Sequence, residues 1–343
     1  MDTPFRVVLV GCGGISASWL KPAVTMPDIR IVGLVDRIEE SARKRALEFH
    51  LEAAEIGADL RAVLKKTKPD IVFDCTVPEA HVEVALEALR RGCHVLGEKP
   101  LADSMANARR IVKAAQKAGR THAVIQNRRF DANIRSVRKL VESGRLGTLT
   151  TLNSDFFIGA HFGGFRDHME HVLLLDMAIH TFDAARYLGG GDPVSVYCKE
   201  WNPTGSWYDR DASAVAIFTM SNGLVYTYRG SWCSEGVNTK WESAWHGVGT
   251  QGSFRWDGAQ DIKAQRRVTG GGTFISTLED VVAEPWDDET RTGFHAGLIK
   301  DFVKCLRNGT TPETVCSDNI KSLAMVFAAI KSAETGREVP VKV

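Results

Sequence analysis

Apolar and polar positions alternate along this chain in two different rhythms. In the first half, β-type apolar runs occur at Phe5 to Val10, Ile29 to Val35, Asp70 to Thr76, Cys93 to Leu101 and Thr121 to Gln126. Helical stretches lie between them: one through Trp19 and Leu20, then Glu39 to Phe49, Leu60 to Lys66, one from Thr76 to Leu89 with Gly92 as its C′ residue, and one capped by Asp103 or Ser104 and ending near Gly119. Short buried strands alternating with helices predict an open α/β layer with a parallel sheet.

The second half follows a different order. A helix is expected over Asp131 to Ser143, ended by Gly144, and a strand over Thr148 to Ile158. A long helix from about Met169 to Leu188 is apolar nearly all round, which predicts burial. Strand-like runs then follow at Val194 to Trp201, Ala212 to Met220, Leu224 to Trp232, Trp241 to Val248 and Gly252 to Trp256. Ser221-Asn-Gly223 is a hairpin signal, so the pairing should be antiparallel. Gly270 to Asp288 reads as irregular, and helices near Phe294 to Arg307 and Ser317 to Thr335 close the chain. The expected organisation is an α/β domain over residues 1–125 and an α+β domain over residues 126–343, whose last helix could pack back on the first.

Composition narrows the class. A chain of 343 residues with 44% hydrophobic and 25% charged residues suits a globular protein of two domains. The net charge of +1 gives no electrostatic reason to expect nucleic acid or a membrane surface, which favours a small-molecule ligand. Seven scattered cysteines without a C-x-x-C pair fit a reducing compartment, hence the cytoplasm. The first apolar run is too short for a signal peptide, and no stretch is long enough to span a bilayer.

The chemistry begins at Gly11-Cys-Gly13-Gly14-Ile15-Ser16, a glycine turn between a strand and a helix. Gly11 permits the tight turn, and Gly13 lets backbone amides approach a pyrophosphate resting on the helix start. Asp36 ends the second strand, at the offset where a carboxylate receives the adenosine ribose hydroxyls, which favours NAD; Arg37 beside it leaves NADP open. Thr76 and Pro78 are placed to shape the nicotinamide end of the cleft, and His81 follows on the next helix. Glu98, Lys99 and Pro100 end a strand at the sheet edge where open α/β sheets bind their ligands. Proline restricts the residue before it, so the Lys99 side chain has a defined aim. Further on, Asp176, His180 and Asp183 stack on one face of the apolar helix. A carboxylate one turn from an imidazole can set its tautomer for proton exchange, or the pair can simply be buried and satisfied. His161, Arg166, His168 and His171 crowd the preceding loop and helix start. No metal is expected, and a basic pocket loop would suit a carboxylated or sulfonated sugar.

Taken in order, Gly11-Cys-Gly-Gly-Ile-Ser16, Asp36, Thr76-Val-Pro-Glu-Ala-His81, Glu98-Lys-Pro100 and Asn127-Arg-Arg-Phe130 resemble the glucose–fructose oxidoreductase, inositol dehydrogenase and rhizopine catabolism superfamily, Gfo/Idh/MocA. The resemblance implies a Rossmann domain followed by a large, mostly antiparallel open sheet, through which chains pair as homodimers or homotetramers. It implies that Lys99, His180 and Asp176 are catalytic. His180 would take the hydroxyl proton, Lys99 would stabilise the developing alkoxide and Asp176 would orient His180, although base and electrostatic partner could exchange. Cofactor contacts are expected from Gly11, Gly13, Gly14, Ile15, Asp36, Arg37, Thr76, Pro78, His81, Glu98, Lys99 and Asn127. Substrate contacts are expected from Lys99, Arg128, His161, Arg166, His168, Asp176 and His180. The implied activity is hydride transfer from a secondary hydroxyl of a sugar, sugar derivative or inositol. Two rivals are a redox glycoside hydrolase without net NADH and a non-catalytic dinucleotide-binding regulator.

Overall fold

The computed structural model describes residues 3–270, 272 and 274–343. It divides into two compact units: the chain up to Phe130 together with Asp288–Ile320, and Asp131–Asp287 together with Lys321–Val343. The first unit therefore extends past residue 125 and reclaims a late segment. The helix His295–Asn308 returns to this unit in full, and of the last helix, Cys316–Thr335, only the first turn up to Ile320 belongs to it.

In the first unit, strands β1 (Phe5–Val10), β2 (Ile29–Val35), β3 (Glu55–Gly57), β4 (Ile71–Asp74), β5 (His94–Gly97) and β6 (His122–Val124) form one sheet in the order β3-β2-β1-β4-β5-β6. Every pair is parallel. Helices α1 (Ser16–Ala23), α2 (Glu39–Glu48), α3 (Leu60–Thr67), α4 (Pro78–Arg90) and α5 (Met105–Ala118) make the crossovers. The strand order reverses between β1 and β4, so the carboxyl ends of those strands border the crevice where such sheets bind ligands. Leu298, Ile299, Phe302 and Val303 form an apolar stripe on the returning helix and join Trp19 and Leu20 in the core.

The second unit holds α6 (Ala132–Glu142), α7 (Ile179–Gly189) and a sheet of nine strands: β7 (Leu149–Phe157), β8 (Pro193–Trp201), β9 (Ser213–Met220), β10 (Val225–Ser231), β11 (Ala244–Gly249), β12 (Gly252–Trp256), β13 (Ile262–Arg267), β14 (Leu278–Asp280) and β15 (Val339–Pro340). Their order is β14-β13-β12-β11-β7-β10-β9-β8-β15, antiparallel except for β10 on β7. Alternation sorts the two faces. On the buried face, Phe182 of α7 packs edge-on against Phe218 and Tyr228, while Tyr226, Trp245 and Trp256 stack across the strands. Trp232, Trp245 and Trp256 are thus core residues, each worth about 2–3 kcal/mol of burial.

Two expectations change. The single helix over Met169 to Leu188 is a 3-10 turn at Gly164–His168, a π-helical segment at Leu173–Ala178 and then α7. His171 stands at φ +52°, which keeps the chain ahead of the helical segment from continuing it. The stretch Gly270 to Asp288 contains the short strand β14, paired to β13; its residues Gly271 and Thr273 lie outside the described residues. Among the described residues no helix is long and apolar enough to cross a membrane.

Candidate functional site

The first unit carries a cleft of about 1100 Å³ lined by Gly11, Gly13, Asp36, Arg37, Thr76 and Val77, among others. Gly11 has φ +87°, and a Cβ there would come within 2.6 Å of the Cys75 carbonyl, so β1 and β4 close together only because no side chain intervenes. At Gly13 and Gly14 the opposite holds: a Cβ would meet nothing within 4 Å, so the space above them is open. Ile15 at the helix edge is 42% exposed. Helix α1 begins without a side-chain cap and without an acidic residue in its first turn. Its amino end is therefore free to receive an anion. Ser16, in the third position of the glycine motif, is fully buried and donates to the Gly13 carbonyl at 2.6 Å.

Asp36 is held by two backbone amides, Cys12 N–H at 2.8 Å on one oxygen and Ile38 N–H at 2.9 Å on the other. Each oxygen keeps a second lone pair for a ribose hydroxyl. Arg37 lines the same cleft. The open space over the glycines, the uncapped helix and the oriented carboxylate together fit a dinucleotide. The motif did not reveal Arg45 on α2, which donates to the Gly13 carbonyl at 2.8 Å and fixes the turn from outside. Nor did it reveal the wall from Ser41, Ala58 and Ala80. Those residues carry no spacing signature; the short strand β3, which sets Ala58, is only three residues long.

At the carboxyl end of β5 the expected trio has separate duties. Glu98 is 7% exposed; its Oε1 accepts from the Trp19 indole at 2.7 Å, and its Oε2 accepts from the Lys99 amide at 3.1 Å. His295 Nε2 lies 3.8 Å from Oε1. Burial opposes the Glu98 charge, but His295, the Trp19 N–H and the Lys99 ammonium outweigh it and hold the carboxyl below its usual range. Glu98 therefore anchors the backbone of Lys99, with one protein donor on each carboxylate oxygen. Asn127 likewise meets His295, amide to ring nitrogen, at 3.2 Å. Arg128 lies beside it in the 3-10 turn Asn127–Phe130. Thr76 donates to Asp74 Oδ1 at 2.5 Å, and Pro78 opens α4 at a helix position that needs no N–H. His81 is 2% exposed, with one ring nitrogen 2.8 Å from the Pro100 carbonyl and the other 3.0 Å from the Thr76 carbonyl. It too faces protein.

His122 on β6 is buried, and burial, with the neighbouring His81, drives its pKa down to about 3. Below the ordinary histidine value the unfolded chain takes a proton that the folded unit refuses, so stability falls as pH drops from about 6.5 toward 3. A His122→Leu variant should lose this component. Between pH 6.5 and 5 its denaturation free energy should fall by about 2 kcal/mol less than that of the natural chain, as read by urea titration.

In the second unit, Asp176 sits in the π-helical segment and His180 in the first turn of α7. Such π segments are found preferentially at functional sites. Arg166 donates to both Asp176 oxygens, from Nε at 2.9 Å and Nη2 at 3.3 Å, and its guanidinium is flanked by the Phe162 and Phe165 rings at 4.9 and 4.8 Å. The third member of the sequence triplet, Asp183, is buried and accepts from Ser322 at 2.6 Å, a packing role. The remaining basic residues of the loop are paired as well. His161 meets Glu235 at 2.9 Å and stacks on Trp207, His168 meets Asp209 at 2.5 Å, and His171 meets Glu200 at 2.7 Å. The Asp209 bond raises the His168 pKa, and the Glu200 bond raises that of His171. Each of these basic side chains thus has a carboxylate partner within the protein.

Comparison with known proteins agrees with both halves. Residues 5–126 match the model of the oxidoreductase family with an NAD-binding Rossmann fold, and residues 134–255 match the GFO/IDH/MocA C-terminal domain. The chain is 27% identical to a D-apiose dehydrogenase of Paraburkholderia graminis, covering 98% of this chain and 90% of the relative. It is 25% identical to an inositol 2-dehydrogenase of Rhizobium meliloti, covering 98% and 99%. A crystal structure of an Agrobacterium radiobacter oxidoreductase in complex with NAD+, L-tartaric acid and magnesium superposes with a TM-score of 0.86 at 21% identity, over 99% of each chain. With family models spanning both halves and relatives aligned end to end, the chain belongs to the Gfo/Idh/MocA oxidoreductase family, with that family's NAD-binding Rossmann domain.

Proposed function

We propose that this protein is an NAD-dependent dehydrogenase acting on a secondary hydroxyl of a neutral sugar or cyclitol. The observation that carries the reading is Lys99, a cation whose backbone is pinned by Glu98 at the carboxyl edge of a dinucleotide-binding sheet. The family relatives named for D-apiose and inositol support the substrate class, as does the charge-matched loop around Arg166. Asp36 favours NAD, because its carboxylate repels a 2′-phosphate where the ribose would sit.

When bound, the nicotinamide supplies the hydride acceptor. Lys99 donates a hydrogen bond to the reacting oxygen and stabilises the charge that develops there. His180 takes the hydroxyl proton as general base. Asp176, held by Arg166, fixes the electrostatics of the helix turn below His180. Arg128, His161 and His168 are assigned to the substrate side.

The test is NADH absorbance with a panel of inositols, neutral aldoses, sugar acids and aryl glycosides. Steady NADH formation with a neutral polyol supports the reading, and a sugar acid as sole substrate overturns the neutral class. Aglycone release without net NADH makes the protein a redox glycosidase, and NAD binding without any turnover makes it a regulator.

The second unit leaves one sheet face uncovered, with Tyr197 and Ile217 paired across β8 and β9 and both more than 40% exposed. We propose that two chains pair through it. Ile217→Arg should then halve the mass measured by light scattering, without lowering the melting temperature of the monomer core.

A further inference from the structure

We propose that His81 is the positioning residue that ties the loops bearing Lys99 and Thr76 into one rigid rim, and that it does so as the doubly protonated imidazolium. The inference rests on the reading of Lys99 as a catalytic residue.

His81 stands one turn into α4, three residues after Pro78, and only 2% of it is exposed. Its Nδ1 lies 2.8 Å from the Pro100 carbonyl oxygen and its Nε2 lies 3.0 Å from the Thr76 carbonyl oxygen. Carbonyl oxygens only accept. A neutral ring has one N–H, so one of these contacts would set a nitrogen lone pair against an oxygen lone pair in a site closed to water. The imidazolium donates to both.

The surroundings suit that charge. Asp74 on β4 is 1% exposed; burial holds its carboxyl above the usual range, and His81 and the Thr76 hydrogen bonds offset only part of that rise. Glu98, at the end of β5, is close enough to add negative potential at Asp74. His122 on β6 is driven toward the neutral form by burial and by His81, burial raises the Cys75 thiol beside Asp74 and Glu98, and the Lys99 ammonium faces Glu98. Of the two buried imidazoles on this side, His122 is held neutral, and the two carbonyl contacts fall on His81.

The consequence falls on Lys99. Its own N–H is tied to Glu98, and the carbonyl of the next residue is tied to His81, so its backbone is held on both sides. Thr76, which lines the dinucleotide cleft, hangs from the same ring. Removing His81 should release both loops without touching the cofactor surface itself. Misplacement of a reacting group by such a release costs about ten- to a hundredfold in rate.

Nitrogen NMR of the 15N-histidine-labelled natural chain, with His81 assigned by through-bond correlations, reads the protonation directly. Two protonated ring nitrogens at pH 7 support the proposal; one pyridine-type nitrogen overturns the charged form, whatever reaction the protein performs. Kinetics then tests positioning. His81→Phe should lower kcat about ten- to a hundredfold with NAD affinity nearly unchanged, and His81→Gln, which keeps one donor nitrogen, should recover part of the loss. A kcat in His81→Phe equal to that of the natural chain overturns the positioning role. If the natural chain itself turns over no substrate, the dehydrogenase reading has failed, and the NMR result alone decides the state of His81.

Discussion

Lys99→Ala is expected to lower turnover by about a thousandfold while leaving NAD affinity nearly unchanged. The ammonium is assigned to the reacting oxygen, where charge appears only as the hydride leaves, so its removal should affect kcat far more than binding. The dinucleotide surface is built from other groups: the open glycines, the uncapped start of α1 and the carboxylate of Asp36. Lys99 is not a core residue, and its backbone amide keeps its bond to Glu98 whatever the side chain. Fluorescence titration with NADH and initial rates at saturating substrate measure the two quantities separately. His180→Asn should act in the same direction. Activity of Lys99→Ala within tenfold of the natural chain would remove the mechanism.

The parts of this molecule visible in the sequence are those built from neighbours in the chain. The glycine turn, Asp36 at the end of β2 and the strand ending in Glu98 are local, and each lies where the β/α alternation puts it. Hidden features depend on distant partners. The loop at Arg166 reads as basic because its acids come from elsewhere: Glu235 is 74 residues from His161, Asp209 is 41 from His168, and Glu200 is 29 from His171. Glu98 looks like a cleft residue until Trp19, 79 residues earlier, takes its oxygen. The apolar run over Val172 to Phe182 cannot distinguish an α-helix from a π segment followed by one, since both bury the same side chains. The helix His295–Asn308 shows a plain amphipathic pattern that does not say which unit receives it; Leu298 and Phe302 against Trp19 decide that.

Gly11 and Gly13 lie two residues apart in one motif, yet their substitutions should fail in opposite ways. Gly11→Ala forces a side chain into a left-handed backbone at φ +87° and within 2.6 Å of the Cys75 carbonyl, where β1 meets β4. Neither strand can yield without disturbing the sheet, so the cost should be about 2–5 kcal/mol, or roughly 10 °C in melting temperature. Gly13→Val meets no protein atom within 4 Å of the new Cβ and should melt close to the natural chain. Its branched side chain would instead occupy the open space assigned to the pyrophosphate, weakening NAD by about a hundredfold. Melting curves with and without NAD separate the cases, because a ligand that binds only the folded state raises the transition. The natural chain should shift upward with NAD, and Gly13→Val should not shift. Gly11→Ala should start lower and still shift wherever it remains folded. If NAD stabilises Gly13→Val as strongly as the natural chain, the dinucleotide lies elsewhere, and Lys99 loses the neighbour that gives its position chemical meaning.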